Sequence, residues 1–194
     1  MNKKKKKKPN TPTKPITTEG IFYAAASFEF TSRMLETEAS TSTRAGISTP
    51  TLFPALALAA FSSELYLKCL IFMETNQAPW GHSLTDLFAA LKQDSKDRII
   101  LINFHPPGVP TPHKPINPAA KADLEDAFYS QLNACSRAFE EFRYFHEKIS
   151  ESPMLWFRQS VGRPTRRRIL EMRPDLGVIY ERVFKLNQPP LAPD

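Results

Sequence analysis

Apolar positions recur at helical intervals through most of this chain, and no segment alternates with the period of two that a half-buried strand requires. From Glu19 to Glu38 the apolar residues are Ile21, Phe22, Ala25, Phe28, Met34 and Leu35. Spacings of three, four and seven predict an amphipathic helix, which Thr17 or Thr18 can cap. The polar stretch Ala39 to Thr49 reads as a loop, because its Ser, Thr and Gly are turn residues. Pro50 or Pro54 then opens a second helix, within the first turn where proline is tolerated. Leu52, Phe53, Leu56, Leu58, Phe61, Leu65, Leu67, Leu70, Ile71 and Met73 make it apolar all round, the pattern of a central core helix.

A turn over residues 76–81 leads to a short third helix with the stripe Leu84, Leu87, Phe88 and Leu91; Ser83 and Asp86 stand at capping-box spacing. Asp97 to Phe104 reads as a further helical turn. Six prolines within residues 105–118 exclude helix and central strand, leaving an extended inter-helix loop. The longest pattern runs from Ala119 to Ser150 through Leu124, Phe128, Leu132, Cys135, Phe139, Phe142, Phe145 and Ile149, without internal Pro or Gly. Thr165 can cap a helix to Met172, and Asp175 one from Leu176 to Lys185. The fold class is therefore all-α: an up-and-down helical bundle with a long C-terminal core helix.

Charge divides the chain. Across 194 residues, 26 Lys and Arg face 20 Asp and Glu, a net charge of +6. Seven of the lysines lie in residues 1–14, a Lys, Pro and Thr segment too polar to offset its ordering entropy. Residues 15–157 hold 11 basic and 16 acidic side chains, whereas residues 158–173 hold six Arg against Glu171 alone. The organisation expected is a disordered basic tail (1–18), a helical bundle (19–150), a basic helical arm (151–187) and a frayed tail (188–194).

Several classes are set aside. Cys69 and Cys135 cannot make a disulfide framework and have no partner at metal-ligand spacing, so two buried reduced thiols in a cytoplasmic protein are expected. The Lys run is followed by prolines rather than an apolar segment, which argues against secretion. Glu64 and Lys68 interrupt the most apolar run and argue against a membrane span. No phosphate loop, nucleophile elbow, zinc pattern or dinucleotide fingerprint is present. His105 and His113 flank the proline loop without a third ligand, so neither metal nor cofactor is expected.

The candidate chemistry is cationic. Arg143 and His146 share a helix face with Arg137 nearby, a grouping that could hold a phosphate and move protons near neutral pH; internal Glu–Arg pairs are the alternative. In the arm, Arg158, Arg163, Arg166, Arg167 and Arg168 suit bidentate phosphate recognition, with Trp156 and Phe157 beside them to stack on bases. Alternatively the arm pairs with an acidic face of its own or a second subunit. Glu64 and Lys68 are spaced for an intrahelical pair, and His82 precedes a helix start, where it could cap or contact a neighbouring helix.

The helix Phe61-Ser-Ser-Glu-Leu-Tyr-Leu-Lys-Cys-Leu70, the segment Gly81-His-Ser-Leu-Thr-Asp-Leu-Phe88 and the helix ending Phe139-Glu-Glu-Phe-Arg-Tyr-Phe-His-Glu147 together resemble the HEPN superfamily over residues 19–150. In that family an E-x-x-x-K helix and a G-H-x-L-x-x-L segment precede a long helix bearing basic and His residues. The resemblance implies a dimeric bundle of the kind found in bacterial toxins, phage-defence systems and RNA-processing factors. Many members are metal-independent ribonucleases with an R-x4–6-H motif; here two residues separate Arg143 from His146, and eight separate Arg137 from it. By the resemblance, Arg137, Arg143 and His146 are the catalytic set and RNA the substrate. Non-catalytic members imply the alternative, an interaction module.

Overall fold

The structure is a computed structural model, and it describes residues 15–44, 51–105, 117–136 and 161–186. Among these residues the chain forms seven helices and no strand: α1 Thr18–Arg44, α2 Leu52–Thr75, α3 Leu84–Ala89, α4 Gln93–Asn103, α5 Pro118–Ala134, α6 Gly162–Met172 and α7 Leu176–Leu186.

α1 and α2 form an antiparallel pair along most of their length. Phe22 meets Tyr66 edge-on at 5.7 Å between ring centroids, and Phe28 meets Phe61 at 4.6 Å. Two serines stitch the same seam, Ser62 Oγ donating to the Ala25 carbonyl at 2.9 Å and Ser32 Oγ to the Ala55 carbonyl at 2.8 Å. Small residues at these positions let the backbones approach. α2 is long and apolar enough to cross a membrane, and more than half of its most apolar stretch is buried against the rest of the bundle.

Several boundaries differ from the sequence reading. α1 runs on to Arg44, through residues expected to turn. Its Thr37 and Thr41 hydroxyls donate to the carbonyls of Arg33 and Thr37, four residues back, and Ala39 is buried. The hydroxyls are thus satisfied inside the helix and do not compete with it. Thr17 caps α1 by accepting from the Gly20 amide at 3.1 Å, and Ser83 caps α3 by accepting from that of Asp86 at 3.2 Å.

The expected long helix from Ala119 stops at Ala134. Cys135 and Ser136 turn, and Ser136 is taken over by the start of α3: its carbonyl accepts from the Leu84 amide at 2.8 Å, and its hydroxyl bonds those of Ser83 and Thr85. An amide left without a partner at one helix start is thereby satisfied by another helix's end. Residues 137–150 of the expected helix lie outside the described residues, as do residues 1–14 of the expected basic tail and the C-terminal tail; at the end of the N-terminal segment Thr17 caps α1 and Thr18 begins it, so the helix starts inside the expected tail.

α6 also starts earlier than expected. Thr165 is not its cap but lies fully buried within it, and the N-cap position, Val161, offers no side-chain hydrogen bond. Gly162 fits closely at this start: a Cβ there would lie 2.6 Å from Ser63 Oγ, so a larger residue would have to displace that hydroxyl for α6 to begin against α2. Nor does the basic segment stand apart as an arm. Val161, Ile169 and Leu176 are buried in one cluster with Phe22, Tyr66, Leu67, Leu70, Phe88, Ile99, Phe128 and Leu132.

Candidate functional site

Two polar clusters penetrate this core. The first joins α2 to the loop before α3. The Glu64 side chain is almost fully buried; one carboxylate oxygen, Oε1, takes Lys68 Nζ at 2.8 Å and His82 Nδ1 at 3.0 Å. Oε2 is buried with no hydrogen-bond partner. Lys68 comes from the next turn of the same helix, while His82 is delivered by a turn with two positive-φ residues, Asn76 and Gly81. Half of His82 faces solvent, and two residues earlier Trp80 is 94% exposed.

The second cluster ties the two ends of the described chain together. Glu29 on α1 bonds Arg166 of α6 and Arg33 one turn along α1, both through Oε1, and takes the Tyr66 hydroxyl on Oε2 at 2.7 Å. Arg166 also donates to the Tyr180 hydroxyl at 2.8 Å and lies over that ring, 4.4 Å from its centroid. Burial alone would raise the Glu29 carboxyl; the guanidiniums of Arg166 and Arg33 and the Tyr66 hydroxyl outweigh it and hold the group below the usual carboxylate range. Burial and the Glu29 charge push the Tyr66 hydroxyl up instead. Arg33 in turn lies over the Phe184 ring at 5.3 Å.

Arg163, on the first turn of α6, differs from its neighbours. Its Nε is buried without a hydrogen-bond partner. Burial, and then the charges of Arg167, Arg166 and Arg33, push its guanidinium below the usual range. Further along, Arg168 pairs with Asp94 of α4, Arg98 of α4 with Glu171 at 2.6 Å, and Arg173 with Glu19 and Asp175 at 2.8 and 2.7 Å.

The expected nucleic-acid arginines therefore separate. Arg166 and Arg168 are engaged with the chain's own carboxylates, and Arg163 and Arg167 stand on the same helix beside them. Arg158, Arg137, Arg143 and His146 lie outside the described residues. Glu29, Arg33, Tyr66 and Tyr180 carry no motif that sets them apart in the sequence; only the four-residue spacing of Glu29 and Arg33 is visible there. Among the described residues no group of three His, Cys, Asp or Glu side chains could hold a metal ion. Both cysteines are buried thiols that form no disulfide with each other, and burial pushes the Cys69 thiol up to about 12. Comparison with protein-family models, curated proteins and solved structures gives no significant match.

Proposed function

We propose that this chain is an HEPN-like helical protein that acts on RNA. One juxtaposition carries the reading. The Glu64-x-x-x-Lys68 helix and the Gly81-His82 segment, the two short motifs behind the resemblance, meet at a single buried carboxylate oxygen, 2.8 Å from Lys68 Nζ and 3.0 Å from His82 Nδ1. In this reading the pair is scaffolding, and Arg137, Arg143 and His146 do the chemistry: guanidinium stabilises charge on the phosphate and imidazole moves the proton, without a metal. The test is incubation of total RNA in chelator with the wild-type protein beside His146→Ala. Cleavage by the wild type and its loss in the variant support the reading. Cleavage that survives in the variant removes this mechanism, and an RNA that is neither cut nor bound removes the reading.

A second reading, a non-catalytic interaction module, is favoured by Trp80. An aromatic of this size, 94% exposed on a loop anchored by His82, is the residue type that dominates protein interfaces. Sedimentation of the wild type and Trp80→Ala decides it for self-association: a dimer lost in the variant supports it, and identical behaviour counts against Trp80 as the contact.

A further inference from the structure

We draw no further inference here: the strongest candidate, the buried Glu64 carboxylate of α2 that anchors the loop carrying the exposed Trp80, belongs to the cluster already described, and nothing in the structure shows what covers that tryptophan.

Discussion

Glu29 and Arg166, 137 residues apart in the chain, share a buried ion pair that joins the first helix to the sixth. The pair is satisfied from both sides: Tyr66 and Arg33 complete the carboxylate, and Tyr180 completes the guanidinium. The value of such an arrangement lies in its completeness. Two desolvated charges gain little net stability together, yet either one alone is expensive.

Removing one partner should therefore cost more than removing both. Arg166→Leu or Glu29→Leu alone is expected to destabilise the fold by about 3–5 kcal/mol, and the double variant to recover a substantial part of that loss. Urea unfolding of the three variants checks this; a double variant as unstable as the sum of the singles would contradict it.

The same pair sets a direction for acid sensitivity. The folded Glu29 carboxyl titrates below its ordinary value of 4.5, so its stabilisation is fully present above that value and is lost as pH falls through the lower folded one. Wild type should lose more stability than Glu29→Gln between neutral pH and this acid window. Melting temperatures of both proteins across that range measure the difference.

Gly162 is a contact, not a hinge. A Cβ there would lie 2.6 Å from Ser63 Oγ but an ordinary 3.4 Å from Ser63 Cβ, and the hydroxyl is held by the Ala59 carbonyl at 2.9 Å. Gly162→Ala should destabilise by about 1–3 kcal/mol, and Ser63→Ala in the same chain should restore most of it. A double-mutant cycle by chemical denaturation reads the coupling; additivity would sink the idea.

At the Glu64 cluster the two partners of the carboxylate are not equivalent. Lys68 is mostly buried and His82 is half exposed, while the carboxylate between them is almost fully buried. Lys68→Met is expected to cost more stability than His82→Ala, because it strips the more buried partner, an ammonium, from a carboxylate that cannot reach water. Equal losses in parallel denaturation curves would contradict that ranking.

The thiols offer a simple probe of the core. Cys69 is buried and titrates near 12, and Cys135 is buried with its Sγ bonded to the Gln131 carbonyl at 3.0 Å. Neither should alkylate with iodoacetamide at pH 8 in the folded protein, and both should do so in urea. Mass spectrometry after a timed quench reads the number of labels.

Much of the architecture was legible from periodicity because burial and helical geometry act together. The apolar stripes of Phe22, Ala25 and Phe28, of Leu67 and Leu70, and of Leu84, Leu87 and Phe88 can be buried only if each segment is helical. Capping by Thr17 and Ser83 was readable for the same reason, since a cap spans three residues of local chain. These are local relations, and an all-α chain follows from them.

Where helices stop, and which charges meet, depended on groups far apart in sequence. Just past the end of α5, the Ser136 carbonyl accepts from the Leu84 amide, 52 positions earlier. Glycine suits position 162 at the start of α6 because a Cβ there would crowd the Ser63 hydroxyl of α2. The basic stretch, which composition sets apart as an arm, is drawn into the body by Ile169 and Leu176 and by carboxylates at positions 29, 94 and 19. Local sequence determines which faces must be buried. Only the packed structure decides which arginine meets which carboxylate, because those pairs join helices far apart in sequence.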